Sequence, residues 1–304
     1  MKDNKVFMAF ASGKETTEGT TIKRYIGVAP VFVLGVNPTK AKMEEMLNIS
    51  LDEEPNYVGE IDNNGTKVSN VRISFYIKPD ANKVGLEVSP INMAMFLRKE
   101  FRFNKDNTKV QVIDKYGRTA WVTKEQCNKK EIPIYSNGQP AKIDSGYRPA
   151  YVGEENLVNF LKCYLNIPNV DVYNSKTGVW STHENPTDCE AGLECIENYF
   201  KGDFSELQNI ISMRPNNKVK VLFGVKTTDD GKQYQAVYTE KFLKNNVSDY
   251  SKLDEDVLNR KNAGAYSNVE FSIVDFKEYT VEPTDFTSSN DLPDSGDTSS
   301  PWFK

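Results

Sequence analysis

The chain has 304 residues, a formal net charge of −5, four cysteines and one histidine. Its longest apolar run, Gly27 to Val36, is too short to cross a bilayer, and the first residues lack the basic-then-apolar layout of a secretory signal. The cysteines form no CxxC pair, so we expect a soluble, cytoplasmic protein with free thiols rather than a secreted, disulfide-stabilised one.

Alternating apolar and polar residues predict strands through the first part of the chain. Asn64-Gly65 can supply the positive φ values of a two-residue hairpin turn between two of them, and a short helix is expected from Thr39, just after Pro38. Further reversals are expected at 104–107 and 115–117, which makes this part an antiparallel meander. The predicted strands are Thr21 to Leu34, Tyr57 to Ile61, Val68 to Lys78, Ile91 to Phe103 and Lys109 to Val122.

A helical insertion, about 150–215, is predicted to separate this meander from a second β-region. Apolar residues from Leu157 to Leu165 recur at helical spacing behind two glutamates, and Asp203 with Glu206 has the spacing of a helix cap. After the insertion, Lys218 to Lys226 alternates valine and lysine, as a half-buried strand does. The fold class is therefore predicted as mainly β with α insertions, with a body spanning 1–280.

The last segment, 281–304, has a different composition. It carries five acidic residues and one lysine and is rich in Ser, Thr, Pro and Gly, so it is expected to be a disordered acidic tail. An aromatic pair lies near its end. We expect the tail to bind a partner protein, with the aromatic tip as anchor and the acids as steering charges, through Asp291, Asp294, Asp297, Trp302 and Phe303.

The sequence gives little support for catalysis or a cofactor. The one histidine, His183, has no nucleophile and acid arranged around it, and no phosphate-binding glycine loop is present. His183, Cys189 and Cys195 lie close in sequence, but their spacing matches no common zinc pattern. We therefore expect a protein that is not an enzyme and has no cofactor and no metal.

The centre of the chain is basic and aromatic. Between Ile91 and Tyr151 there are twelve Lys and Arg against six Asp and Glu. Cations interleaved with flat side chains are what single-stranded nucleic acid needs, because phosphates follow the charge while unpaired bases stack on the rings. The alternative is that the aromatics are core and the cations an ordinary solvated surface. The predicted DNA-binding residues are Arg98, Lys99, Arg102, Lys105, Tyr116, Arg118, Trp121, Tyr147, Arg148 and Tyr151; Phe101 and Phe103 are expected to be core.

A basic, aromatic β-body followed by an acidic tail with a hydrophobic tip resembles the single-stranded DNA-binding proteins of bacteria and bacteriophages. The segments YIGVAPVFVLGVNPTK, NVRISFYIKPD, VQVIDKYGRTAWV and NNKVKVLFGVKTT resemble the versions encoded by crAss-like tailed phages. The resemblance implies an OB-fold, a five-stranded Greek-key barrel, and the cytoplasm of a phage host. It departs from the bacterial pattern at the tail, where Asp291-Leu292-Pro293 is internal and Lys304 follows the aromatic pair.

These observations predict a protein that binds and protects single-stranded DNA during phage replication or recombination and recruits partners through its tail. Two other functions stay open at this point. A virion or scaffold protein would use the same β-domain and tail for assembly, and an RNA-binding regulator would use the same stacking chemistry.

Overall fold

A computed structural model describes residues 23–63, 65–113, 119–129, 135–136, 139–140, 147–167, 169–174, 179–184 and 196–280. These residues form an α+β structure made mostly of antiparallel strands, with one curled, half-barrel sheet and a few helices. The predicted acidic tail, 281–304, lies outside the described residues.

The chain forms seventeen described strands and seven described helices. The strands are β1 (Tyr25–Val36), β2 (Val58–Asn63), β3 (Thr66–Pro79), β4 (Ile91–Phe101), β5 (Lys109–Ile113), β6 (Thr119–Thr123), β7 (Tyr135–Ser136), β8 (Gln139–Pro140), β9 (Arg148–Pro149), β10 (Tyr151–Val152), β11 (Asn169–Asn174), β12 (Val179–Glu184), β13 (Lys218–Thr227), β14 (Gln233–Val237), β15 (Leu243–Lys244), β16 (Val269–Phe271) and β17 (Lys277–Glu278). The helices are α1 (Lys40–Leu47), α2 (Ala81–Val84), α3 (Lys124–Lys129), α4 (Glu154–Tyr164), α5 (Ile196–Tyr199), α6 (Ser205–Ser212) and α7 (Ser251–Asn262).

The main sheet has the strand order β10-β4-β3-β1-β13-β14, and its pairs are antiparallel. Its four longest strands follow the spatial order fourth, first, second, third, which is a Greek key. The connection from β4 to β13 is long and contains a three-stranded sheet, β6-β5-β9, together with α3 to α6. The β11–β12 hairpin in this connection was not predicted, because only helices were expected there.

Alternation along the strands gives the main sheet one apolar face, which we call the inner face. It is fully buried against α4, α5 and α6, and the rings of Phe75 on β3 and Phe160 on α4 have centroids 4.3 Å apart. The strand residues on this face are Ala29, Val31, Val33, Val71, Ile73, Phe75, Ile77, Met93, Met95, Leu97, Val219, Val221 and Phe223. The predicted inward valines of β13 are confirmed.

The opposite, outer face of the main sheet is covered only in places. At β13 it packs against α7, where Leu222 contacts the cluster that contains Leu253 and Val257. At β3, Tyr76 contacts Met43 of α1. At the β3–β4 end, Phe96 is 50% exposed. The outer face is therefore open where the second and third long strands pair.

Gly153 brings the chain from β10 against the edge of β4. It has a φ of 88°, and a Cβ at this position would lie 1.9 Å from the carbonyl oxygen of Phe96. Only glycine permits both the backbone conformation and the close approach. The start of α4 is thereby fixed beside the strand that carries Phe96.

The predicted helix cap at Thr39 is confirmed, whereas the one at Asp203 is wrong, because α6 begins at Ser205 with Phe204 at its N-cap position and no capping side chain. Thr39 caps α1 and accepts a hydrogen bond from the Lys42 amide, and β2 and β3 pair from Asn63 and Thr66 outward, as expected for a hairpin with a two-residue connection. Among the described residues, no helix is both long enough and apolar enough to span a membrane.

Candidate nucleic-acid interface

Arg148, a predicted DNA-binding residue, is paired with a buried carboxylate. Its guanidinium donates to both oxygens of Glu154, one at 3.0 Å, and the Tyr151 amide donates to the same carboxylate at 2.9 Å. The Glu154 side chain is fully buried. A buried carboxylate needs such partners, so the charge of Arg148 is used within the protein.

The Arg102 guanidinium is also hydrogen-bonded within the protein. Its Nη1 donates to Glu155 at 2.7 Å and to Gln111 at 3.2 Å, while Thr119 donates to the other oxygen of Glu155 at 3.1 Å. This network attaches the β5–β6 hairpin to α4. The Arg102 guanidinium also lies 5.8 Å from the ring of Trp121, which is 39% exposed.

Lys99 and Tyr151 meet at Glu197 of α5. The Lys99 amine lies 3.0 Å from the carboxylate, and the Tyr151 hydroxyl donates to it. The Tyr151 ring stacks on Phe101 at a centroid distance of 5.3 Å. The hydrogen bonds from Tyr151 and Lys99 hold the pKa of Glu197 below its usual value, and burial together with the bond to Glu197 raises the pKa of Tyr151 to about 12.

The expectation that Phe101 and Phe103 are core is wrong. They are 43% and 39% exposed, because the buried part of β4 ends at Leu97 and both rings lie beyond it. The Lys124 amine lies 4.9 Å from the Phe103 ring. Phe103 with Lys124 is therefore a second pair of an exposed ring and a cation, in addition to Trp121 with Arg102.

The other predicted residues are spread over the same part of the molecule. Tyr147 donates to the carbonyl of Gln126 and packs against the small cluster of Val110, Val112 and Val122, while Lys105 is exposed in the turn after β4. Tyr116 and Arg118 lie outside the described residues, as do the tail residues Asp291, Asp294, Asp297, Trp302 and Phe303.

The open outer face carries an aromatic residue, Phe96, with an arginine at each of two neighbouring positions. Phe96 on β4 pairs directly with Arg72 on β3, and Arg98, two residues further along β4 on the same face, pairs with Asn70. Cross-strand neighbours have Cβ atoms about 5 Å apart, and residues i and i+2 of a strand about 7 Å. Arg98 is exposed and has no ion pair or side-chain hydrogen bond within the described residues.

Phe96 and Arg72 were not among the predicted site residues. The signal was present as strand alternation, since Met93, Met95 and Leu97 form one face of β4 and Phe96 is the large ring on the other. The Phe96 ring could not be separated from the core aromatics without knowing that this end of the outer face is exposed.

A further aromatic side chain lies at the tip of the β13–β14 hairpin. Tyr234 is 37% exposed and pairs directly with Lys226, which is also exposed. The Arg24 guanidinium donates to the carbonyl of the neighbouring Gln233 at 2.9 Å. This hairpin thus carries an exposed ring and an exposed lysine, with Arg24 hydrogen-bonded to its backbone, on the other side of the strand order from β4.

No group of three or more His, Cys, Asp or Glu suited to hold a metal ion occurs among the described residues. Of the three residues weighed for zinc, Cys189 and Cys195 lie outside that part of the chain, and the side chain of His183 is also outside it. Comparisons with protein-family models, curated proteins and solved structures found no match to this chain.

Proposed function

We propose that this protein binds single-stranded DNA without catalysing a reaction, and that the outer face at Phe96, Arg72 and Arg98 is the centre of the binding surface. The observation that carries the proposal is the exposed Phe96 ring, with Arg72 at its cross-strand position and Arg98 two residues along the same face. A base stacks on such a ring whatever its identity, and the guanidinium groups attract the phosphates beside it. In duplex DNA the bases are already paired and stacked within the helix, so a duplex is held only by electrostatic attraction between its phosphates and the arginines.

The strand order supports an OB-fold as the architecture. An OB-fold is a five-stranded Greek-key barrel that binds oligonucleotides on the face of its second and third strands and on the loops that follow its first and fourth. If β1, β3, β4, β13 and β14 are its five strands, the second and third are β3 and β4, which carry Arg72 and Phe96. The loop after the fourth strand then leads into Tyr234.

The proposed cellular role follows from the resemblance to phage single-stranded DNA-binding proteins: coating of DNA during replication or recombination in the host cytoplasm. In this role the segment 281–304 recruits replication proteins through Trp302 and Phe303. Deleting that segment is expected to abolish partner binding and to leave DNA binding intact or stronger, because its net charge of −4 competes with DNA for the cationic surface.

The test is a fluorescence titration of the full chain with oligo-dT, a duplex of equal length and a matching RNA. Binding to oligo-dT that is much tighter than binding to the duplex supports the proposal. Failure to bind oligo-dT at low salt would overturn it in favour of a structural role in the virion. Tighter binding to RNA than to DNA would replace it with an RNA-binding function.

A further inference from the structure

The outer face of β3 and β4 continues from Phe96 to a part that α1 covers. The pairs in order along the two strands are Arg72 with Phe96, Ser74 with Ala94, and Tyr76 with Asn92. Phe96 is half exposed, whereas Ser74 and Tyr76 are 1% and 5% exposed. One continuous strip is therefore open at one end and covered at the other.

The strip contains three polar atoms that make no hydrogen bond within the described residues. They are Arg72 Nε, Ser74 Oγ and Asn92 Oδ1, and each is inaccessible to solvent. Buried polar atoms are paired in the great majority of cases, and leaving one unpaired is unfavourable. The three lie on adjacent positions of one face, so this part of the face is poorly matched to its cover.

The cover itself is attached by few contacts. Met43 is the one buried residue of α1, and its sulfur accepts a hydrogen bond from the Tyr76 hydroxyl at 3.4 Å. A helix with so little buried apolar surface opens at a low free energy.

The two ends of the covering segment are close together and well anchored. Asn37 exchanges backbone and side-chain hydrogen bonds with Ser74, and the Tyr57 hydroxyl donates to the Pro38 carbonyl at 2.8 Å. The intervening segment can therefore move as a unit while both anchors stay in place.

We propose that residues 39–56 form a flap that lifts when a single strand binds, and that the strip beneath it is a second nucleotide site. In this site the Tyr76 ring stacks on a base, and the side chains of Ser74, Asn92 and Arg72 hydrogen-bond to its polar edge. The inference rests on the proposed function, because the strand that enters the site is the one already held at Phe96.

The first test is Ser74→Ala, with Ser212→Ala as the matched control, since Ser212 is an exposed serine on α6. The Ser74 change removes an unpaired hydroxyl, so the melting temperature is expected to stay equal or rise. Affinity for oligo-dT is expected to fall by at least threefold for Ser74→Ala and to be unchanged for the control. Equal affinity in both variants would overturn the site.

The second test uses the unmodified full chain and does not depend on a variant folding. Hydrogen exchange of the α1 amides is expected to speed up when oligo-dT is added, while the amides of β3 and β4 become more protected. Slower or unchanged exchange in α1 would overturn the flap. Met43→Ala, which loosens the cover, is expected to bind oligo-dT more tightly than the unmodified chain.

The outcomes separate the two proposals. If the unmodified chain binds oligo-dT and Phe96→Ala weakens that binding, but Ser74→Ala and α1 exchange show no effect, the flap fails and the proposed function survives. If the unmodified chain does not bind oligo-dT at low salt, both fail.

Discussion

Phe96 on β4 lies directly opposite Arg72 on β3, and both residues are on the outer face, opposite the face that packs against α4, α5 and α6. The residues on either side of Phe96, Met95 and Leu97, are buried in the core. The position of the ring is thus set by a rigid strand rather than by a loop, so a base that stacks on it requires little ordering of the protein.

We expect Phe96→Ala to weaken binding of oligo-dT by about 1 to 3 kcal/mol, which is the usual loss for a base-stacking aromatic. Its melting temperature should stay close to that of the unmodified chain, because the ring is half exposed. Leu258→Ala is the control, since Leu258 is 58% exposed on α7, the helix that packs on β13. A large fall in melting temperature for Phe96→Ala would assign the ring to the core.

The salt dependence of DNA affinity tests whether the exposed cations contact phosphates. Each phosphate contact to a single strand adds about −0.7 to the slope of log affinity against log salt. Arg98→Ala and Lys105→Ala should each make the slope less negative by about that amount, since both side chains are exposed. Lys252→Ala, an exposed lysine of α7, is the control with an unchanged slope. Identical slopes in all three variants would exclude Arg98 and Lys105 from the interface.

We expect the main effect of Arg148→Ala to be a lower free energy of unfolding rather than weaker DNA binding. Removing one partner of a buried ion pair costs about 3 to 5 kcal/mol, and we expect about 2 to 3 kcal/mol here because the Arg148 side chain is 40% exposed. Chemical denaturation measures the change. The double variant Arg148→Ala with Glu154→Gln should recover part of the loss, because no charge is then buried. If Arg148→Ala is as stable as the unmodified chain, the ion pair contributes nothing to stability, and the Arg148 guanidinium of the unmodified chain would be available to bind DNA.

The sequence predicted most of the long strands and several helices because their signals are local. Alternation in Val219 to Val225, the cap at Thr39 and the Asn64-Gly65 turn depend only on neighbouring residues. The identity of the site residues was harder to predict. Arg102 and Arg148 look like free cations in the sequence, and only the fold brings Glu155 and Glu154 to them. The exposure of Phe96 and of Phe101 depends on which helices pack against each part of the sheet. That packing cannot be read from the neighbouring residues in the sequence.

Acid stability should depend on the Tyr151 hydroxyl. Because the pKa of Glu197 is depressed in the folded state, this group stabilises the fold above the usual glutamate pKa, and that contribution is lost as the pH falls through the folded-state pKa. Tyr151→Phe removes the hydrogen-bond donor to Glu197, so the free energy of unfolding should fall less steeply as the pH is lowered. NMR titration of Glu197 should show its pKa rising toward its usual value.

Tyr164→Phe is the control for this pH experiment. Its hydroxyl donates to the Arg214 carbonyl, which does not titrate. This change should lower stability by a similar amount at every pH and leave the shape of the acid limb unchanged. Superimposable acid limbs for Tyr151→Phe and the unmodified chain would mean that the Tyr151 to Glu197 bond contributes nothing to acid stability.

The long Greek-key connection between β4 and β13 has a consequence for how the protein is made. β1 pairs on one side with β3, which follows it closely, but on the other side Gly27 pairs with Phe223. During synthesis the strands β1, β3 and β4 can pair early, while the other edge of β1 stays unpaired until about three-quarters of the chain has been made. Pairs so distant in sequence form slowly, and an unpaired, apolar edge such as Val28 to Val31 invites association with other chains in the meantime. Expression at lower temperature or with chaperones that protect strand edges should therefore raise the soluble yield.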